Sequence, residues 1–277
     1  MTAAKPTGKA YIDTTVLTDA LIKSGAQRDQ ALNAIRRYAV SELPQYAIKE
    51  FKDGPLSYYV WMHNKLETTG SFAAALGSLQ KISMSPRKYL PATAIQALQT
   101  AADSLSKYTN QQMVDKHGPT ASPDQVQCDE YRLAIKTTIF LGWQQRHSVA
   151  NNVVCHLSCY NETDPYEKRG MIMLENRKCK VDRECCLAPD LKAAPDDLMK
   201  LHKATLSQPS RVELRRRAKA LRQLFRKPKD PLDEKSCRAL GDAIFAFFSP
   251  DDAVILTTND RDHAPLAAAL GKRVDKP

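Results

Sequence analysis

Acidic side chains occupy positions from which a fold could bring them together: Asp13, Glu50, Asp242, Asp260 and Asp262. Asp13 ends the apolar segment KAYI, and Asp260 and Asp262 follow the apolar segment AVIL. Both segments have the profile of buried parallel strands, and open α/β sheets bind ligands at the carboxyl ends of such strands. Asp242 lies inside the apolar segment LGDAIFAFF, where a buried charge is costly unless it has a partner.

Glu50 is a further candidate because it lies between the apolar residues Ile48 and Phe51 in a short helical segment. The alternative is a surface glutamate that pairs with a lysine one turn away. Clustered carboxylates repel one another unless a hard divalent cation lies among them, and oxygen ligands suit Mg²⁺ or Mn²⁺. Such ions generate a hydroxide and stabilise charge on a phosphoryl group, so the pattern favours cleavage of a phosphodiester.

The segments around these acids predict an α/β fold with a parallel sheet flanked by helices. After the first strand, Val16 to Leu21 has helical spacing and would be the crossover helix of a βαβ unit. The spacing also predicts a helix from Asp29 to Glu42, ended by Pro44. A single buried helix is expected around Asp242, from Cys237 to Phe248, with Asp233 as its N-cap.

The middle of the chain reads as mainly helical, with helices predicted at Ser71 to Ile82, Ala92 to Tyr108 and Gln125 to Arg146. The segment from Asn151 to Pro189 is rich in cysteine and contains Cys155, His156, Cys159, Cys179, Cys185 and Cys186. A structural Zn²⁺ would need four such ligands, usually in tight pairs, whereas these spacings do not repeat. Free buried thiols are the alternative.

A basic amphipathic helix is predicted after this segment, with Leu214, Ala218, Leu221 and Phe225 along its apolar side. Its outer side carries positively charged residues rather than residues of alternating charge: Arg211, Arg215, Arg216, Lys219, Arg222 and Arg226. Such a surface favours binding of phosphates in a nucleic acid, and the alternative is an ordinary solvated face.

The overall composition agrees with a globular protein that has a polyanionic partner. The chain has 277 residues, 43% of them hydrophobic, and a formal net charge of +10. The N-terminus lacks the apolar segment of a signal peptide, and no segment is long enough to cross a bilayer, so no membrane association is expected. Seven cysteines, an odd number, suit a reducing compartment, and we expect a cytoplasmic location.

Four segments resemble the PIN domain family of metal-dependent ribonucleases, which includes bacterial toxins: AYIDTTVL, YAIKEFKDG, LGDAIFAF and VILTTNDRDHAPLAAALGKRV. By this resemblance Asp13 and Asp242 match two of the family's aspartates and Glu50 its glutamate. Asp260 and Asp262 match the acidic pair after its last core strand. The family implies one or two Mg²⁺ or Mn²⁺ ions and endonucleolytic cleavage of RNA by an activated water, leaving a 3′-hydroxyl and a 5′-phosphate.

The hypothesis is therefore an endoribonuclease with Asp13, Asp242 and Asp260 as the principal metal ligands. Asp262 would be an additional ligand, and Glu50 would orient a metal-bound water. The expected partners are RNA, either single-stranded or structured and with tRNA among the candidates, and an inhibitory protein if the chain is a toxin or defence effector.

The resemblance covers residues 9–66 and 233–275, and we predict that residues 1–66 and 233–277 form the nuclease core. Residues 67–232 would be a mainly helical insertion containing the cysteine-rich segment and the basic helix, and they would select the substrate or hold an inhibitory partner. One departure lies within the core, because His263 stands where the family usually has phenylalanine.

Two other functions share part of this sequence pattern. A phosphatase of the haloacid dehalogenase type needs a second aspartate two residues after the first, and this chain has Thr15 there. A PIN-like scaffold that binds nucleic acid without cleaving it is the other alternative. The presence of all the acidic residues argues against that scaffold, because a site without catalysis has no reason to keep buried like charges.

Overall fold

A parallel sheet forms the centre of the protein in this computed structural model, which describes residues 7–83, 89–106, 110–118, 120–154, 160, 162–175, 187–209, 211–227 and 232–277. In chain order its strands are β1 (Lys9–Ile12), β2 (Val40–Pro44), β3 (Asn152–Val154), β4 (Tyr166–Lys168), β5 (Met171–Met173), β6 (Ala253–Leu256) and β7 (Arg273–Asp275). Five of these make one sheet in the order β3-β2-β1-β6-β7, with every neighbouring pair parallel. Strands β4 and β5 form a separate antiparallel hairpin.

Helices account for most of the remaining chain. The first eight are α1 (Thr14–Ile22), α2 (Gly25–Arg36), α3 (Gln45–Phe51), α4 (Ser57–Thr69), α5 (Phe72–Ser83), α6 (Tyr89–Leu105), α7 (Asn110–His117) and α8 (Pro123–Gln145). The others are α9 (Leu187–Ala193), α10 (Pro195–Leu206), α11 (Val212–Arg226), α12 (Glu234–Leu240), α13 (Asp242–Phe248) and α14 (Asp260–Ala269). The predicted α/β class and the three predicted helices of the middle region are confirmed.

The helix predicted from Asp29 to Glu42 is wrong at its C-terminal end. Helix α2 stops at Arg36, and Val40–Pro44 forms β2 instead. Val40 pairs with Lys9 of β1, and Leu43 is fully buried. Local spacing favours a helix here, but pairing with the central strand satisfies the backbone and buries the apolar side chains, so the tertiary context decides.

The buried helix expected around Asp242 is also interrupted. Helix α12 ends at Leu240 and α13 begins at Asp242, with Gly241 between them at φ +33° and ψ −107°. A side chain at this position would be strained, because residues other than glycine rarely adopt a positive φ. Asp233 caps α12 as predicted, since its carboxylate accepts a hydrogen bond from the Ser236 N–H at 2.8 Å.

The region predicted as an insertion shares the core of the sheet. Strand β3 pairs with β2, and Ile135, Ile139 and Trp143 of α8 are buried in the same apolar cluster as Tyr11 of β1. Helix α8 can lie close against the end of α1 because Gly142 has no side chain; a Cβ at that position would lie 2.9 Å from Ile22 Cγ2. None of the helices in the described ranges is long and apolar enough to span a membrane.

The order of the strands places a binding edge beside β1. Moving outward from β1, the chain goes through β2 to β3 on one side and through β6 to β7 on the other. Parallel crossovers are almost always right-handed, so the connections on the two sides leave a crevice at the carboxyl ends of β1 and β6. Asp13 and Thr257, the residues that directly follow these two strands, lie at this crevice.

Candidate active site

Asp13 is held rigidly at the end of β1 as the N-cap of α1. Its Oδ2 accepts hydrogen bonds from Thr15 Oγ1 at 2.6 Å and from Thr257 Oγ1 at 2.7 Å, and the residue is 3% exposed. Burial alone would raise the pKa of Asp13, but the charge of His263 and the threonine hydrogen bonds lower the pKa to about 2. The carboxylate is therefore ionised throughout the physiological range.

Glu50 reaches the same crevice from α3. Thr14 Oγ1 donates a hydrogen bond to Glu50 Oε2 at 2.7 Å, which ties this acid to the residue that follows Asp13. Burial raises the pKa of Glu50 to about 7; the Thr14 hydrogen bond opposes this shift, and the charges of Asp13 and Asp242 add to it. The alternative, a surface glutamate paired with a lysine one turn away, is not what the structure shows, because Glu50 is half-buried and accepts its hydrogen bond from Thr14.

Asp242 is the first residue of α13, and its two oxygens meet two different cations. Oδ1 lies 3.4 Å from His263 Nε2, and Oδ2 forms an ion pair with the Arg217 guanidinium of α11. The partners of this half-buried carboxylate are thus supplied by side chains from two other helices, α11 and α14.

His263 of α14 lies between Asp13 and Asp242, and sequence reasoning missed its importance. Its Nε2 is 3.5 Å from Asp13 Oδ1, its ring meets Phe245 edge-on, and it is 1% exposed. Burial would lower the pKa of His263, but Asp13 and then Asp242 raise it to about 9. The side chain is therefore an imidazolium at neutral pH. The sequence signal for this role was the position of a histidine in the first turn of the helix that begins with Asp260.

Asp260 and Asp262 face different neighbours, although both begin α14. Asp262 forms an ion pair with Arg211, at the N-terminus of α11, and accepts a hydrogen bond from Asn259 Nδ2 at 3.1 Å. Asp260 instead forms an ion pair with Lys276 at 2.7 Å. Residues two apart on a helix do not face each other, which separates the pair. The structure thus brings Asp13, Glu50 and Asp242 together and directs Asp260 toward the last strand.

A cavity of about 640 Å³ opens beside these acids. Glu50, Asp242 and Glu213 contribute its acidic side chains. Its basic side chains are Arg216 and Arg217 of α11 together with Lys235 and Arg238 of α12. The cavity is therefore lined by both carboxylates and cations.

Helix α11 carries the predicted basic surface. Leu214, Ala218 and Leu221 are buried, whereas Arg215, Arg216, Lys219, Arg222 and Arg226 are exposed. Arg211 is half-buried because it pairs with Asp262. The exposed residues recur at helical spacing along one side of α11.

Comparison of the chain with protein-family models, with curated proteins and with solved structures finds no match.

Carboxylate oxygens from Asp13, Glu50 and Asp242 are the donors that Mg²⁺ or Mn²⁺ prefers, so the donor set fits such an ion. In this structure the positive charge that offsets the carboxylates of Asp13 and Asp242 is supplied by His263 and Arg217. Within the described residues, no group of three or more His, Cys, Asp or Glu side chains is arranged to hold a metal ion as it stands. The two described cysteines, Cys128 and Cys237, form no disulfide bond. The residues of the Zn²⁺ hypothesis lie outside the described ranges.

Proposed function

We propose that this protein is a Mg²⁺- or Mn²⁺-dependent endoribonuclease of the PIN type. The observation that carries the proposal is the convergence of Asp13, Glu50 and Asp242 at the carboxyl ends of β1 and β6. Three separate elements bring these acids to the crevice where open α/β sheets bind ligands, and the basic side of α11 lies next to it.

Asp13 and Asp242 are the residues that would hold a divalent ion, which when bound lowers the pKa of water and offsets charge on a phosphoryl group. Glu50 accepts the proton of the attacking water, a role suited to an acid whose pKa is about 7. The water oxygen bonds to phosphorus, the bond from phosphorus to the 3′-oxygen breaks, and the 3′-oxygen takes a proton from solvent.

The other acids have secondary roles in this proposal. Asp262 holds Arg211 beside the acid cluster and would become an additional ligand if that ion pair opened. Asp260 would join the principal ligands only if it exchanged its pairing with Lys276 for the crevice. The partner in the proposal is RNA, bound through the exposed cations of α11.

A second function is a scaffold that binds RNA without cleaving it. The observation that favours it is the compensation of the acids by protein cations, His263 between Asp13 and Asp242 and Arg217 on Asp242. A carboxylate cluster that is neutralised in this way is stable without any metal ion.

The deciding experiment incubates the purified protein with labelled single-stranded and structured RNAs in Mn²⁺, in Mg²⁺ and in EDTA. Asp13→Asn and Asp242→Asn variants are compared with Asp251→Asn, whose carboxylate is 97% exposed and outside the cluster. The nuclease predicts cleavage that EDTA and the first two variants abolish and that the third retains. RNA binding without cleavage under every condition would assign the scaffold function.

A further inference from the structure

Arg217 differs from the other basic residues of α11 because it is buried, with a side chain 8% exposed. One of its terminal nitrogens pairs with Asp242, but Nε and Nη1 are buried without a hydrogen-bond partner among the residues that the structure describes. Donors of a charged group are costly to leave unpaired in a protein interior. Their presence indicates that an acceptor binds there.

The surroundings of Arg217 indicate the charge of that acceptor. Arg217 lies in the wall of the cavity beside the acids, and Arg216, Lys235 and Arg238 lie around the same cavity and are exposed. Glu50, Asp242 and Glu213 also line the cavity, but Asp242 is already paired with Arg217 and Glu50 accepts a hydrogen bond from Thr14. The unpaired donors and the exposed cations therefore favour an anion.

A phosphate group suits these donors better than a single carboxylate does. A guanidinium offers several N–H groups in a fixed fork, and a tetrahedral phosphate accepts hydrogen bonds in several directions at once. The cavity, at about 640 Å³, has room for a nucleotide. Arg216 also belongs to the exposed basic side of α11, so a strand bound along that helix would continue into the cavity.

We propose that the cavity between α11, α12 and Asp242 is the site where a backbone phosphate of RNA binds, held by the buried guanidinium of Arg217 and by the exposed Arg216, Lys235 and Arg238. The inference rests on the proposed function in taking RNA as the source of the phosphate. Because Arg217 contacts Asp242, a phosphate bound to Arg217 lies next to the acids. Arg217 therefore binds the substrate and positions it beside the acidic residues.

The test measures binding in EDTA, where cleavage does not occur. A fluorescein-labelled single-stranded RNA octamer is titrated by fluorescence anisotropy, and inorganic phosphate is followed by ³¹P line broadening and as a competitor of the octamer. Arg217→Met should weaken RNA binding about 10- to 100-fold, since it removes charge-assisted hydrogen bonds. It should also abolish competition by phosphate. Arg28→Met, at an exposed position of α2, should bind like the native protein.

Two further variants keep the inference testable if Arg217→Met fails to fold. Arg217→Lys retains the charge but loses the fork, and Arg238→Met changes an exposed residue; both should weaken binding of the octamer by at least 3-fold. Native affinity in all three variants would overturn the inference. Phosphate binding that depends on Arg217 while RNA binding does not would overturn the assignment to RNA. If RNA binding depends on Arg217 but the protein never cleaves RNA, the nuclease proposal is refuted and the phosphate-binding site is retained.

Discussion

Replacement of His263 by glutamine tests whether its charge compensates the acid cluster. The imidazolium faces Asp13 at the end of β1, Asp242 of α13 and Glu50 of α3, and these acids raise its pKa from the ordinary value of 6.5 to about 9. A group whose pKa is raised on folding stabilises the native state below its unfolded pKa, and the contribution disappears as the pH rises through the folded value. The contribution of His263 to the free energy of unfolding is therefore lost between pH 6.5 and about 9.

The size of the effect follows from the shift. One pKa unit corresponds to about 1.4 kcal/mol, so a shift from 6.5 to about 9 gives roughly 3 kcal/mol of unfolding free energy. Glu50 acts in a lower window, because its pKa rises from 4.5 to about 7 and the native state loses stability as pH increases across that range. The two windows meet near pH 7, so measurements above that pH report mainly on His263.

The assay is urea unfolding in EDTA at pH 6.5, 7.5 and 9, for the native protein and for His263→Gln. The native protein should lose roughly 3 kcal/mol more than the variant across this range, with similar denaturant slopes. The difference between the two proteins cancels the contributions of ionisable groups that do not interact with His263. His147→Gln, at an exposed position, is the matched control and should follow the native protein. Equal pH dependence in native protein and His263→Gln would refute the compensation argument.

Three other changes test the supports of the site. Thr257→Val removes a hydrogen bond to buried Asp13 and should raise the pKa of that acid and lower the unfolding free energy by about 1–2 kcal/mol, measured by urea unfolding. Gly241→Ala should destabilise the protein by about 1 kcal/mol or more because φ is +33°, whereas Gly77→Ala, with open space around it, should be neutral or stabilising in thermal unfolding. Lys219→Glu should weaken RNA binding and reduce the slope of log affinity against log salt by roughly 0.7, and an unchanged slope would reassign α11 to a solvated face.

The position of Asp13 at the edge of the sheet could be predicted from the sequence because strand period and strand ends are local properties. The segment KAYI reads as a buried strand, and the residue after it must lie at the carboxyl edge of a parallel sheet. The same reasoning placed Asp260 at that edge but did not give the direction of its side chain. That direction depends on the helix that begins there, in which Asp260 and Asp262 point to different sides.

His263 and Arg217 could not be identified in this way, because their roles depend on which helices pack together. A histidine in a helix has no local feature that reveals two carboxylates from β1 and α13 at its ring nitrogen. Arg217 is one arginine in a run of three, and only the helical phase relative to the core decides that it points inward while its neighbours Arg215 and Arg216 face solvent. The error at β2 has the same origin, since pairing between strands is not a local property.

The region between α4 and α12 also contributes to the site through the packing of its elements. This region supplies β3 to the sheet and Trp143 to the core, and it supplies Arg217 and Arg211 to the acids of the crevice. Without α11, Asp242 and Asp262 would each lose a cation partner, and these half-buried carboxylates would be left with less positive charge to offset them. Because Arg217 both neutralises Asp242 and holds the proposed phosphate, substrate binding and charge compensation at this site depend on the same helix.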